Sequence, residues 1–437
     1  MTAQQSGQVV IHGHFYQPPR ENPWTGQVDA EPSAAPDHDW NARITRECYR
    51  PLIPIYQYLS VDFGPTLLDW LEREVPDVYR GVLAGCRGNA VATPYHHIIL
   101  PLATRRDKET EVRWGIADYR RRFGHAPSGF WLPETAVDRE TLDVLAAEGI
   151  AFTILAPHQV SNAPGQGLPA SIALDHGRSI AVFVYSGPLS HDVAFGPLTT
   201  NADGLTEALA RTPPGAVASI AVDGETFGHH HKGADQTLAT VLERLRHSHA
   251  ARVTNFAAVL ATHPATTTVD LVERTSWSCS HGIERWRAAC GCRTHHDRPS
   301  QQNWRAPLRA AIDWLAGEIH TLYEREGRDL PGGPWAFRDG AGGTGPVGGG
   351  EDATRLIEME RGVLRAMTSC GWFFDDIAGL EARQVLRYAA HAIALAGTEA
   401  GRLEAGFIER LGDARSNDPA AGSAADVFRQ SFQPVQP

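Results

Sequence analysis

The chain has no basic patch. Its 40 Lys and Arg residues stand against 51 Asp and Glu, a formal net charge of -11, so nucleic acid and anionic membrane, which both reward a basic face, are not expected partners. Long apolar runs are missing as well. Nothing approaches the roughly 20 residues a membrane helix needs, and the opening Met-Thr-Ala-Gln-Gln-Ser-Gly-Gln lacks the charged start and apolar core of a secretory leader. The expectation is a cytoplasmic protein. Cysteine is scarce too: six in 437 residues do not make a disulfide framework in a chain this long. Cys48, Cys86 and Cys370 are isolated and read as packed, whereas Cys279, Cys290 and Cys292 gather around His281. No internal repeat is visible.

What is present is one construction used several times. Ala216 to Val222 is small, β-branched and almost wholly apolar, the composition of a strand buried on both faces of a parallel sheet. Polarity then flips at once: Asp223, Glu225, His229, His230 and His231 follow, with Gly224 and Gly228 allowing sharp turns. A helix-capping Asp on an ordinary βα loop would look the same in isolation. The construction recurs, however. Residues 8–11 lead into His12-Gly13-His14-Phe15-Tyr16-Gln17, residues 90–92 into Thr93-Pro94-Tyr95-His96-His97, and residues 129–132 into Pro133-Glu134-Thr135. Parallel strands would bring all these groups to one rim, which is where α/β barrels build active sites.

Strand and helix patterns alternate from residue 8 to about 262, including helices over 65–79, 104–123 and, behind the capping residue Asp138, up to Glu148. Beyond about 265 only helical periods remain. The expected architecture is an α/β fold with a barrel over 1–262 and a helical C-terminal domain over 263–416. Its Gly-rich segment 331–350 should be flexible, and the polar tail 417–437 disordered.

Glu134 and Asp223 fall at the ends of different predicted strands, which is what glycoside hydrolysis asks of a carboxylate pair: about 5–5.5 Å apart for retention, roughly 6.5–9.5 Å for inversion. Glu225 rivals Asp223. Two residues along a continuing strand it would face the same way, but Gly224 makes it better suited as a hydrogen-bonding, pKa-tuning neighbour. An acid/base at Asp223 must be protonated in one step and ionised in the next, which requires burial and the charges of Glu134 and Glu225 to raise its pKa.

The blocks His12-Gly13-His14-Phe15-Tyr16-Gln17-Pro18, Trp131-Leu132-Pro133-Glu134 and Asp223-Gly224-Glu225-Thr226-Phe227-Gly228-His229 resemble, in order, the signatures of glycoside hydrolase family 57, retaining enzymes active on α-glucans. The resemblance implies an incomplete (β/α)7 barrel, a nucleophile at Glu134, an acid/base at Asp223 and substrate contacts at His12, His14 and Trp131. Hydrolysis and glucanotransfer share such a mechanism, the substrate would be an α-glucan or oligosaccharide, and no cofactor is implied. Gln17, His96, Glu225, His229 and Trp286 join the candidate sugar contacts. Trp24, Trp40 and Trp372 could also stack on sugar rings. The segments 277–286, 290–292 and 369–376 are similar to an uncharacterised C-terminal region in one branch of that family. Two departures bear on the substrate: the chain is short around 50–62 and in the Gly-rich segment, and Val184 to Phe195 lacks the Arg-Asp or Arg-Asn pair that relatives carry before Leu-Ser.

Two other readings stand beside this one. His12, His14, His96, His97 and His229 to His231 could ligate a metal together with Asp223, as in a deacetylase-like hydrolase. A non-catalytic glycan-binding protein would use the same aromatic residues. Separately, Cys279-x-His281 and Cys290-x-Cys292 supply four zinc-type ligands at unusual spacing; a reduced cluster packed under Trp277 and Trp286 explains them equally.

Overall fold

Val9, Val10 and Ile11, none of them more than 1% exposed, begin the strand around which the first unit closes. In the computed structural model, which describes residues 6–295, 297 and 299–431, seven strands form a parallel ring: β1 (Gly7–Phe15), β2 (Ser60–Phe63), β3 (Ala90–Val91), β4 (Gly129–Phe130), β5 (Phe152–Leu155), β6 (Ser179–Val184) and β7 (Val217–Asp223). Register pairs His12 with Ser60 and His14 with Asp62 on one side of β1, and His14 with Asp223 on the other. The ring continues through Val61 and Ala90, through the bridge Ala92 to Phe130, and through β5 to β6. Between β6 and β7 the ring is incomplete: the outer edge of β6 pairs antiparallel with Ala170–Ala173, and beyond the strand the Ser186 amide donates to the Ser219 carbonyl at 2.8 Å. β1, β2 and β5 each have a strand on both edges and lie in a sheet covered on both faces. That explains why β1, β2 and β5 are buried at every position.

The strand ends are therefore gathered by topology. Ala251–Val253 adds a short parallel strand beside the start of β1. Helices follow the strands, with one correction. The single helix expected over 65–79 is two, Pro65–Glu74 and Pro76–Cys86, because Pro76 has no amide to continue the first helix and suits the first turn of the next. Asp138 caps the helix Arg139–Ala147 as expected, accepting from the Thr141 amide at 2.8 Å.

The chain does not divide at a single cut. One unit holds the chain up to Gln17, Ala30–Thr93 and Asp118–Glu273; the other holds Pro18–Asp29, Pro94–Ala117 and everything from Arg274 on. One loop and one segment that carries most of the helix Arg105–Phe123 thus pass from the barrel half of the sequence to the second unit.

That second unit is helical, with Arg305–Glu326, Gly350–Arg365, Leu380–Ala394 and Ala400–Leu411 as its long members. At its centre Arg338, fully buried, pairs with Asp107 at 2.9 Å and Glu360 at 2.7 Å. His320 bridges the same two carboxylates at 3.3 and 3.0 Å. Burial alone would lower His320, but Glu360 and Asp107 outweigh it and hold it at about 10, so two positive groups balance two negative ones.

The Gly-rich segment differs from its expectation. It contains a helix, Pro334–Ala341, and Arg361 donates to the carbonyls of Ala341, Gly342, Thr344 and Gly345 at 2.7–2.9 Å. One guanidinium fixes a stretch that composition alone marks as loose. The tail differs too. Ala424–Ser431 is helical, with Val427 and Phe428 buried and Ser423 and Asp426 exchanging capping hydrogen bonds. That Ser-x-x-Asp box followed by an apolar pair was a legible helix start. Residues 432–437 of the expected tail lie outside the described residues.

Candidate active site

β1 carries the site's electrostatics. His12 and His14, two residues apart, face the same side of the strand. The indole of Trp131, just past β4, lies against both, with ring centroids 4.7 and 5.2 Å away. His12 Nδ1 is 3.0 Å from Ser60 Oγ, and its Nε2 is 3.1 Å from Asp62 Oδ1. Burial pulls the His12 pKa down against the pull of Asp62, so His12 is neutral, donating from Nε2 and accepting at Nδ1. His14 Nδ1 donates to Asp62 Oδ2 at 2.8 Å. Burial would lower His14 as well, but Asp62, then Asp223 and Glu225, outweigh it and hold it at about 9. Burial would raise Asp62, and the two histidines keep it low. The result is a charged Asp62–His14 pair beside a neutral His12.

On the other side of β1, at His14's register position, stands Asp223. Its side chain is open to solvent at the end of β7. Even so, the protein around it raises its pKa through burial, with His14 opposing and Asp62 assisting. The carboxyl is thus reachable and biased toward its protonated form. The charge that assists burial is Asp62, which sequence reading overlooked, rather than Glu134 or Glu225.

Glu225 is buried. Burial raises it to about 7, opposed by a hydrogen bond from Tyr49 and assisted by Asp223. Tyr49 Oη donates to Glu225 Oε1 at 2.5 Å, and the Gln17 side chain in turn hydrogen-bonds Tyr49. Tyr49 ends a π-helical turn, Thr45–Tyr49, a wider turn often found at functional sites. The same turn brings Cys48 Sγ to 3.4 Å from the Gly224 carbonyl and Glu47 Oε2 to 2.6 Å from His229 Nδ1. Two glycines permit this fit. A Cβ on Gly224 would meet the Phe15 ring at 2.2 Å, and one on Gly228, at φ 122°, would meet the Glu47 carbonyl at 2.3 Å. Trp40, half-exposed, stands edge-on to His229 at 5.9 Å.

Glu134 follows β4, half-buried, in a left-handed backbone conformation: φ is 58° there and 48° at Thr135. Such residues cost on the order of 1–3 kcal/mol each and persist only where neighbours enforce them. Here Gln159 does so, donating to the Thr135 carbonyl at 2.7 Å while accepting from the Ala156 amide at 2.8 Å.

The structure brings His12, His14, Gln17, Trp131, Asp223, Glu225 and His229 into linked contacts of the barrel unit. His12 and Trp131 have no exposed surface, so they support the site rather than offer a face to a sugar. His96 has partners of its own. It lies in the second unit, fully buried, with its ring and amide held by the two oxygens of Glu111 at 2.7 and 2.8 Å. Trp286 is also in the second unit and fully buried, leaving no face for stacking; Trp372 is likewise buried.

The histidines of the metal reading have partners of their own, and the metal-ligating side chains that gather among the described residues are Cys279, His281, Cys290 and Cys292. His12 and His14 engage Asp62, His97 Nδ1 lies 2.7 Å from Ser369 Oγ, His229 engages Glu47 and His231 donates to the Ala194 carbonyl at 2.8 Å. Asp62, Tyr49 and Glu47 were missed in the sequence. Only Asp62 left a signal, a polar residue ending the short strand Ser60–Phe63.

An incomplete ring of seven parallel strands with ionisable groups at its C-terminal rim defines a β/α-barrel protein whose site is built from carboxylates. The description glycosyl hydrolase family 57 matches residues 8–271, more than half of the chain, and the chain belongs to that family. A second description, a domain of unknown function (DUF3536), matches residues 301–341 and 349–436. An α-amylase of Pyrococcus abyssi is 22% identical over 193 residues, 42% of this chain and 29% of that protein. α-Amylase 1 of Dictyoglomus thermophilum is 24% identical over 194 residues, 41% and 28% of the two chains. The matched region thus spans under a third of either relative. An exo-type maltose-forming amylase from a Pyrococcus species aligns over 97% of this chain and 91% of its own, with a TM-score of 0.78 and 15% identity, a likeness of fold. Among the described residues no helix is long and apolar enough to cross a membrane.

Proposed function

We propose that this protein is a retaining glycosidase or glucanotransferase acting on α-linked glucans or oligosaccharides. Glu134 is the nucleophile and Asp223 the acid/base. The observation that carries the reading is Asp223: reachable, at the C-terminal end of β7, with a raised pKa, and register partner of a cationic His14. Glu134 attacks the anomeric carbon while Asp223 gives its proton to the departing glycosidic oxygen; ionised Asp223 then takes a proton from water, or from an acceptor hydroxyl, which displaces Glu134. His14 limits how far the Asp223 pKa rises, so the same carboxyl serves as acid and then as base. Trp40 and His229, both half-exposed, offer the sugar an apolar face and a donor. Family membership and the two α-amylases support the substrate class. Cys48 and Cys86, buried as thiols, suit a cytoplasmic location.

The test pairs two variants on α-glucans and on aryl α-glucosides. Glu134→Gln should bind substrate and lose several orders of magnitude in turnover. Asp223→Ala should lose far more on glucans than on activated aryl glycosides, and azide should restore turnover with a glycosyl azide of retained configuration. Near-normal turnover by Glu134→Gln, or an Asp223→Ala variant slowed equally on both substrates and indifferent to azide, refutes the assignment.

A further inference from the structure

Between Arg274 and Trp304 the second unit carries a single 3-10 turn, Glu284–Trp286, among its described residues. A segment of that length with so little regular structure needs some other constraint. Four side chains from it meet at one point. Cys279 Sγ lies 3.9 Å from Cys290 Sγ and 3.7 Å from Cys292 Sγ, and Cys292 Sγ lies 3.6 Å from His281 Nδ1. One ligand atom from each residue lies within 4.8 Å of all the others.

We propose that Cys279, His281, Cys290 and Cys292 form a structural site for one zinc ion. A tetrahedral ion with Zn–S near 2.3 Å and Zn–N near 2.0 Å holds its sulfurs about 3.8 Å apart and a sulfur and nitrogen about 3.5 Å apart, which matches the separations here. A disulfide would need about 2.05 Å. Thiols merely in contact would show similar pair distances, and the surroundings decide between the two. Backbone amides of His281 and Arg285 hydrogen-bond the Cys279 sulfur, and that of Ser280 the Cys292 sulfur. The Cys292 amide donates to the Cys290 sulfur at 3.4 Å. In both short motifs, then, the amide of the second ligand donates to the sulfur of the first. Gly291, with φ 87°, supplies the tight bend that two cysteines so close in sequence require. Amide N–H groups aimed at the sulfurs are the outer-shell donors that a metal-bound sulfur accepts.

Charge closes the argument. On binding, three thiols release their protons and neutral His281 contributes a lone pair, leaving a centre of net charge -1. Arg305, fully buried, places Nη1 3.8 Å from Cys290 Sγ; its other partners there are carbonyls of Cys292, Phe373 and Phe374 and the Gln302 side chain. Asp375 acts on this guanidinium through its charge, and an anionic zinc–thiolate centre beside Nη1 would give it a second, nearer counter-charge. The ion would pin this segment, which is otherwise tied by Arg285 to the Phe373 carbonyl and by Thr294 to Asp375. No sugar chemistry is required of it.

The full chain, produced with zinc and passed through gel filtration, should carry one zinc per chain by mass spectrometry. Replacement by cobalt should give thiolate-to-cobalt charge-transfer and tetrahedral d–d absorption. Cys292→Ser should lose the metal or bind it at least tenfold more weakly. Should that variant fail to fold, His281→Cys, which keeps four donors, should still bind one ion with a cobalt spectrum shifted toward four thiolates. Wild type without stoichiometric zinc and without the cobalt bands overturns the proposal. So does a Cys290→Ser, Cys292→Ser double variant that still retains one ion per chain.

Discussion

Replacing Glu225 with Gln should make the protein more stable, relative to wild type, as the pH rises. In the fold, burial lifts this carboxyl from an ordinary 4.5 to about 7. Between those two values the unfolded chain has released the proton that the folded chain keeps. The group's contribution is therefore fully present below about pH 4.5 and is lost as pH climbs through about 7. At about 1.4 kcal/mol per pH unit the full loss is about 3.5 kcal/mol, of which about 3 falls between pH 4.5 and 8. Glu225→Gln cannot ionise. Urea unfolding of both proteins at several pH values, followed by tryptophan fluorescence, should give a stability difference that moves by about 3 kcal/mol in the variant's favour between pH 4.5 and 8. Tyr49→Phe moves the window the other way. Its hydroxyl bonds the carboxylate at 2.5 Å, and losing a hydrogen bond to a charged group costs about 1.5–3 kcal/mol, which pushes the Glu225 titration up by roughly 1–2 units. A stability difference between wild type and Glu225→Gln that stays flat from pH 4.5 to 8 would refute the reasoning, because Glu225 would then titrate alike folded and unfolded.

Two further outcomes follow from buried charge. Asp62→Asn removes the carboxylate that holds His14 at about 9, so burial should take over and leave His14 neutral at pH 7. An NMR titration of the imidazole reads this directly, and a His14 still charged at pH 7 in the variant would show that Asp62 is not its anchor. Arg338→Met should destabilise the second unit by about 3–5 kcal/mol, since it leaves Asp107 and Glu360 buried with only His320 to offset them; denaturant unfolding within 1 kcal/mol of wild type would count against that quartet as a structural centre.

The barrel was legible because its signal is local and repeated. Strands such as 217–222 show their burial in composition and their ends in a sudden change to charge, and Asp138 announces its helix by its position. What escaped the reading depends on contacts between distant residues. The π-helical turn Thr45–Tyr49 has no periodic signature, so Tyr49 and Glu47, each about 180 residues from its partner, could not be paired with Glu225 and His229. His96 carries the same strand-end signature as His14, yet the chain leaves the barrel unit at Pro94 and Glu111 claims the ring. Glycine content misled at 331–350 because one buried arginine, Arg361, supplies the donors that the segment's own side chains lack.

The arrangement at β1 shows why strand order determines the chemistry here. In a parallel ladder, register partners stand on the same face of adjacent strands, so pairing His14 with Asp62 on one side and with Asp223 on the other produces the charge sequence negative, positive, negative across three strands. Asp62 is buried, and its pKa stays low because two histidines donate to it; that of Asp223 is raised by burial and by the charge of Asp62, against the pull of His14. The two carboxylates differ in their donors: His12 and His14 both donate to Asp62, whereas His14 acts on Asp223 through its charge.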